Sequence, residues 1–449
     1  MAPRALLTPK AVLSSSPRGS TMKRNSCLGL LALIAATTSG AFASEMRFIQ
    51  IEASSREERS AIVHLGASIE ATRSGSVWAI ANPREISALE KNGFKILGNF
   101  DLSVARGGHE SSFDFPSDDS LFHNFDRTVS ALQDMQKKNS DLVALQSIGK
   151  SVEGRDIWAL HINSNATDLK TGNSARPGVI YMGNHHAREH LSAEVPILFA
   201  KYLLDHRRDE AISKLLGSRD IWIIPMINPD GVEFDIKDGD YQVWRKNRRD
   251  NKDGTFGVDL NRNYSYEWGT GGSDTDTESE IYMGPKPFSE PETIAIRDFV
   301  DTHLNAKVLL TFHTYSELIL YPWGHTYDTV PNAKDLATFK KMASTMAQWN
   351  HYTPEQTSSL YIASGDTTDW AYATHGIFAF TFEMSPGSEG QGGFYPGEKM
   401  ITKVFNDNLK PCMYLLQVAD NPYKVLARTP TGMLHNYVQP VGLDAGDLN

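Results

Sequence analysis

The stretch Gly183-Asn184-His185-His186-Ala187-Arg188-Glu189-His190 gathers several imidazoles and a carboxylate within two turns' worth of chain. His186 and Glu189 are three residues apart. On a helical or tight turn that spacing puts both side chains on one face. A neutral imidazole and a carboxylate are both good zinc ligands, and a catalytic zinc takes three protein ligands while leaving a fourth position for water. The third ligand must then come from elsewhere. His313, at the end of the apolar run Val308–Phe312, is well placed to supply it. His185 and His190 are rival ligands, and each histidine could equally hold a hydrogen-bonded structural place. Glu383 ends another apolar run, Phe378-Ala379-Phe380-Thr381-Phe382. A carboxylate at the mouth of a buried strand is costly unless it is paired or working. It could take a proton from water that a metal has activated, or close a salt bridge at a sheet edge.

Two basic clusters lie between these motifs. Trp244-Arg245-Lys246-Asn247-Arg248-Arg249 follows Asn228-Pro229-Asp230-Gly231, and Gly257-Val258-Asp259-Leu260-Asn261-Arg262-Asn263 comes next. In a chain of net charge -10, such islands could hold a substrate carboxylate through bidentate hydrogen bonds. The plainer reading is a solvated face. Asp250, Asn251 and Asp253 before Gly254, and the acidic loop Ser273–Glu280, make calcium a second candidate ion, against the plainer reading of solvated loops.

The elements that must position these groups are short apolar runs. Pro177–Met182, Ile221–Met226, Val308–Phe312 and Phe378–Phe382 predict buried strands separated by helical stretches, which is the pattern of an α/β domain with a mostly covered sheet. Ligands in such sheets sit at the carboxyl ends of strands, where the polar motifs fall. Residues 46–97 carry a separate pattern: strand Met46–Ile51, helix Arg56–Leu65, strands Ser68–Ala71 and Val77–Ile80 around an Arg73-Ser74-Gly75 turn, a second helix Ile86–Leu89 after Pro83, and strand Phe94–Leu97. The order β-α-β-β-α-β is that of a ferredoxin-like α+β domain. The polar run Arg106–Ser112 reads as an exposed linker, the kind of segment a processing protease would cut. From Met22, the charges of Lys23 and Arg24, an apolar core over Leu28–Ala36, and Ala41-Phe42-Ala43 before Ser44 predict a cleaved signal peptide. Its apolar part is too short to span a bilayer, and Met22 is the expected start.

The expected division is therefore 1–43 for the extension and leader, 44–116 for the small domain and linker, 117–421 for the large domain, and 422–449 for a tail without periodicity. A length of 449 residues fits two domains with processed ends. The acidic balance argues against a nucleic-acid partner. Of the two cysteines, Cys27 falls in the leader, so a mature chain would hold the single thiol of Cys412 and no intrachain disulfide. The expected product is an exported monomer, extracellular or periplasmic, with no membrane attachment.

The constellation resembles the zinc carboxypeptidases of the pancreatic A/B type. His186-Ala187-Arg188-Glu189, Trp244-Arg245-Lys246, Asp259-Leu260-Asn261-Arg262-Asn263, Phe312-His313-Thr314-Tyr315, Tyr361-Ile362-Ala363-Ser364-Gly365 and Thr381-Phe382-Glu383 occur in that family's order, across about residues 120–420. Asp366-Thr367-Thr368-Asp369-Trp370 and the run Ile377–Met384 look closest to the secreted bacterial branch typified by carboxypeptidase T. The resemblance implies a mixed central sheet with helices on both faces. It implies zinc held by His186, Glu189 and His313, Glu383 as proton acceptor and donor, and Arg245 as oxyanion partner. It assigns the substrate's terminal carboxylate to Asn261 and Arg262 with Tyr361 closing over it, further substrate contacts to Arg188 and Tyr315, and orientation of a zinc-binding histidine to Asp259. Thr368 stands at the base of the side-chain pocket with Asp366 and Asp369 near it, which implies mixed specificity, hydrophobic and basic. The segment 46–97 is similar to the family's activation segment, which assists folding and covers the cleft until cleavage. The implied partners are peptide or protein C-termini and a processing protease. Two rivals stand beside this reading: a zinc amidohydrolase acting on cell-wall peptides, and a non-catalytic binding protein on the same scaffold. Against the second, His186, Glu189, His313 and Glu383 are all present.

Overall fold

The computed structural model describes residues 46–102, 114–172 and 174–427. The expected leader with Cys27, the run Arg106–Ser112 and the tail beyond residue 427 lie outside the described residues.

The chain opens with β1 (Arg47–Glu52), α1 (Arg56–His64), β2 (Ser68–Arg73), β3 (Ser76–Ala81), α2 (Pro83–Lys91) and β4 (Ile96–Asp101). Both helices begin on capping boxes: Ser55 with Glu58, and Asn82 with Glu85. In each, side chain and backbone satisfy one another's orphan groups. The strands pair antiparallel in the order β2-β3-β1-β4. Ile49, Ile51, Val77 and Ala79 turn to the helices and meet Ile62, Val63 and Leu89. This is the ferredoxin-like arrangement the pattern predicts. Its core also takes in Ile281 from farther along the chain.

The larger layer system runs α3 (Phe125–Lys138), β5 (Val143–Lys150), β6 (Asp156–Ile162), α4 (Ala166–Thr171), β7 (Gly178–Gly183), α5 (Leu191–Asp205), α6 (Glu210–Leu216), β8 (Asp220–Ile224), α7 (Pro229–Asp235), α8 (Pro291–Thr302), β9 (Ala306–Thr314), β10 (Leu318–Tyr321), α9 (Ala333–Asn350), β11 (Thr353–Gln356), α10 (Thr367–His375), β12 (Phe378–Met384) and α11 (Met400–Val418). The sheet order is β11-β10-β12-β9-β7-β8-β6-β5. The centre, β12-β9-β7-β8, is parallel, and antiparallel pairs join it on both sides.

The four runs read from sequence form that centre. Alternation along them divides the interior in two. Val179, Tyr181, Ile221, Ile223, Val308 and Phe380 face the helices α5, α9 and α11, while Ile180, Met182, Trp222, Ile224 and Leu309 face α8 and α10. Helices thus cover both faces. Within the first core, Cys412 of α11 is fully buried, and the hydroxyl of Tyr181 donates to its carbonyl at 2.7 Å. Burial pushes the Cys412 thiol well above its usual range. After α11, a turn at Pro422–Leu426 is fastened to α9 by the Tyr423 hydroxyl, which donates to Asp335 at 2.7 Å.

Candidate active site

β7 ends at Gly183, and the residues that follow must reverse into α5 within a few positions. Asn184 takes the left-handed conformation at φ 54, which its short polar side chain tolerates. Its amide donates to the carbonyls of His186 and Glu189, both at 3.2 Å. The loop is held from the other side by backbone hydrogen bonds: Ala187 and Arg188 donate their N–H groups to the carbonyls of Arg245 and Trp244. The two motifs separated by about sixty residues in sequence are therefore one piece of backbone in space.

This frame brings His186 and Glu189 together with His313 from the end of β9. His186 Nδ1 lies 2.7 Å from Glu189 Oε1, and His313 Nδ1 lies 2.8 Å from Glu189 Oε2. The two Nδ1 atoms face each other at 3.1 Å. Both cannot point a hydrogen at the other, so the pair suits a shared cation. His186, Glu189 and His313 are the one cluster of ligand-type side chains that gathers this closely among the described residues, and all three are buried. The donor set of two imidazoles and a carboxylate fits zinc. Burial opposes ionisation of Glu189, but the neighbouring imidazoles outweigh it and hold the carboxyl below its usual range. Burial also lowers the pKa of His313, which favours the neutral, ligating form.

His186 turns its other nitrogen to Asp259, with Nε2 to Oδ1 at 3.1 Å. Asp259 receives Arg245 on its second oxygen, at 2.8 Å from Nη2 and 3.2 Å from Nε. A carboxylate behind a ligating histidine fixes the ring's orientation. The same carboxylate holds Arg245 charged: burial opposes the cation, and Asp259 prevails. The rival histidines are engaged elsewhere. His185 meets the hydroxyl of Tyr264 at 2.9 Å, and His190 pairs with Asp235 at 2.8 Å.

β12 lies parallel to β9, with Glu383 directly beside His313 in the register. That pairing sets the glutamate next to the histidine and glutamate triad without any loop. Enclosure in the cleft and the negative charge of Glu189 push the Glu383 carboxyl well above its usual range, although Arg245 works the other way. A cavity opens here. Its walls include His186, Glu189, Arg245, Asn261, Arg262, Tyr315, Tyr361, Asp366, Thr368 and Glu383. Arg262 is fixed by donating Nε to the carbonyl of Gly272 at 2.8 Å. At the cavity's far end Thr368 Oγ1 donates to Asp366 Oδ1 at 2.7 Å, while Asp366 Oδ2 is enclosed and has no partner. Burial and the charge of Asp369 push Asp366 up to about 7.

Two of the expected residues do not line the cavity. Asp369 does not face the cavity; it accepts from His325 Nδ1 at 2.7 Å and from the N–H groups of Gly324 and His325. Arg188 lies behind the wall, fully buried, between Glu280 at 2.7 Å and Glu70 at 2.8 Å. Glu70 belongs to β2, and Ile69, Glu70, Ala71 and Thr72 close one side of the cavity. Glu70 was not singled out in the sequence, and no local spacing marks it; Glu280 was named only as the end of the acidic loop. The calcium expectation finds no support. Asp253 accepts from Thr255 and Thr277, Asp250 from Lys252, and Asp276 caps the backbone N–H of Glu278, so these loops do not gather a ligand set.

The sequence profile of the family described as zinc carboxypeptidase matches residues 128–411. The chain is 34% identical over 404 residues to a zinc carboxypeptidase of Saccharothrix mutabilis subsp. capreolus, covering 86% of this chain and 92% of that one. It is 34% identical over 282 residues to human carboxypeptidase A5, covering 61% of this chain and 62% of that one. Among solved structures, carboxypeptidase A from Helicoverpa armigera matches in fold with a TM-score of 0.69 at 24% identity, across 86% of this chain and 100% of that one. A profile match over the large domain, with a relative matched almost end to end, shows that this chain belongs to the zinc carboxypeptidase family and is a peptide hydrolase.

Proposed function

We propose that this enzyme removes single residues from free C-termini of peptides and proteins, with His186, Glu189 and His313 holding zinc. The observation that carries the reading is convergence on one cavity: the buried triad, Glu383 in register beside His313, and the anchored guanidinium groups of Arg245 and Arg262. Zinc there would supply a Lewis acid that polarises the scissile carbonyl and makes water a stronger acid.

Glu383 accepts the proton of the attacking water and returns it to the departing amine; a raised pKa suits both halves of that exchange. Arg245, braced by Asp259, donates to the oxyanion as charge develops. Asn261 and Arg262 take the terminal carboxylate, which fixes the last peptide bond over the triad. Tyr361 closes over that end, and Tyr315 lines the approach. Arg188 serves a substrate carbonyl or carboxylate once Glu70 has gone. Thr368 and the unpartnered Asp366 oxygen form the side-chain pocket, which accepts apolar residues and, when Asp366 is ionised, Lys or Arg. The N-terminal domain acts as a propeptide: β2 walls off the cavity until a protease cuts in the run Arg106–Ser112. The leader-like run from Met22 supports export, and no described helix is long and apolar enough to cross a membrane.

The test uses the chain severed at the linker and short peptides that differ only in the last residue. Each is offered with a free or amidated C-terminus, with and without a zinc chelator, and products are read by mass spectrometry. Stepwise loss of the last residue, abolished by amidation and by chelation, is expected. A folded, zinc-loaded enzyme that leaves every free-terminus peptide intact would sink the reading and send the search to cell-wall peptides.

A further inference from the structure

Most contacts between the N-terminal domain and the large domain are matched. Arg59 donates to the carbonyls of Ser359 and Leu360 at 2.9 and 2.6 Å. The Ser60 hydroxyl accepts from the Ile362 N–H at 2.8 Å, and Arg73 pairs with Glu389 at 2.9 Å. The contact at Glu85 is not matched.

Glu85 stands in the first turn of α2. Its Oε2 accepts the Asn82 N–H at 2.7 Å, while Oε1 is enclosed without a partner. It faces the loop that leads to Ile281, where Asp274 and Glu280 oppose its charge, while Ser279 and the cation of Lys246 favour it less strongly than burial disfavours it. Gly66 shows how tight the contact is. A Cβ at that position would meet Asp274 Oδ2 at 2.9 Å and Glu85 Oε1 at 3.0 Å, so both acidic groups flank one point. The Gly66 carbonyl is itself pinned to the loop by the Ser279 hydroxyl at 3.1 Å. The nearby cations are committed. Lys246 gives its Nζ to the Thr277 carbonyl at 2.8 Å, Arg84 reaches Glu278 at 3.2 Å and Asp276 at 3.9 Å, and Arg188 takes Glu280. Neither Glu85 nor Asp274 has an ion pair among the described residues.

We infer that Glu85 is a proton-operated latch: the N-terminal domain docks with Glu85 protonated, and loss of that proton sets its carboxylate against Asp274 and Glu280 and loosens the docking. The inference rests on the reading of this domain as a removable cover. In the docked state, burial and the two facing carboxylates push Glu85 up to about 8. In a separated domain the side chain would meet water and return to the ordinary carboxylate range. Docking therefore takes up a proton between those limits. Its strength is full in acid, declines as pH rises above the ordinary range by at most about tenfold per pH unit, and has lost this contribution once pH passes about 8.

Hydrogen exchange on the intact chain tests this, at about pH 6 and about pH 8.5, with rates corrected for the intrinsic pH dependence of exchange. Protection of β2 and of residues 273–281 is expected to fall by about tenfold or more at the higher pH, while β7 stays protected. Glu85→Gln keeps the helix cap, since glutamine serves the same backbone N–H, and should leave the interface equally protected at both pH values. Should that variant fold poorly, Asp274→Asn removes one opposing charge and should shrink the fall. Protection that is indifferent to pH in the wild-type chain, or that falls in parallel in wild type and both variants, would overturn the latch. Peptide turnover by intact and severed chains is measured alongside. An interface that opens with pH in a chain no less active than the severed one would keep the latch and remove the cover.

Discussion

Glu383 lies between His313 in the sheet register and the charges of Glu189 and Arg245, so replacing it by glutamine removes a proton carrier without emptying the space. Glu383→Gln should lower kcat by about 10²–10⁴-fold and leave KM within a few-fold, as steady-state kinetics on a free-terminus peptide would show. A fall in kcat/KM carried by KM alone would instead mark Glu383 as a binding group. Asp366 offers a test by pH. Burial and the charge of Asp369 push its carboxyl up to about 7 and the residue lines the cavity, so ionisation adds a negative charge to the pocket. The ratio of kcat/KM for Arg-terminated over Phe-terminated peptides should rise as pH passes through about 7, and Asp366→Asn should flatten that rise. The sequence named Glu383 because it ends an apolar run, whereas Asp366 was named only through the family resemblance. It could not choose among His185, His186 and His190. Three residues of spacing fit several pairs, and the choice comes from distant partners: Asp259 for His186, Tyr264 for His185, Asp235 for His190.

The central strands were readable because four runs of nearly continuous apolar residues have no other stable place than between two helix layers. The flanking strands were not. β5 is partly exposed, β10 is short, and β11 reads Thr353-Pro354-Glu355-Gln356, with no apolar signal and a proline that only an edge tolerates. The turn from β7 to α5 shows how backbone alone can set a ligand. A Cβ at Gly183 would fall 2.0 Å from the Ser192 carbonyl oxygen, a distance no rotamer can relieve. Gly183→Ala should therefore prise α5 away from β7, with a loss of about 1–3 kcal/mol in chemical denaturation. Zinc affinity should weaken with it, because His186 and Glu189 lie inside the displaced turn. An unchanged denaturation midpoint would show that the turn yields more easily than its contacts suggest.

The relation between the two sheets could be foreseen only in outline. The βαββαβ order announced a separate small domain, but nothing local told that Glu70 on its edge strand would reach Arg188, because that contact joins residues 118 positions apart. Glu70→Ala should raise turnover by the intact chain about tenfold or more, since it removes one half of a buried ion pair. The severed chain should be unaffected. Equal effects on both forms would place Glu70 in the catalytic domain's own stability instead. The buried thiol of Cys412 has a practical consequence. It is the one cysteine among the described residues, it is shielded by α5 and β7, and its pKa is raised. In any form lacking residue 27, a thiol reagent should remain silent toward the native enzyme and report only excursions that lift α11 off the sheet. The chain carries a built-in stopwatch for its own unfolding, and a cysteine introduced anywhere on the surface becomes a single-site chemical handle.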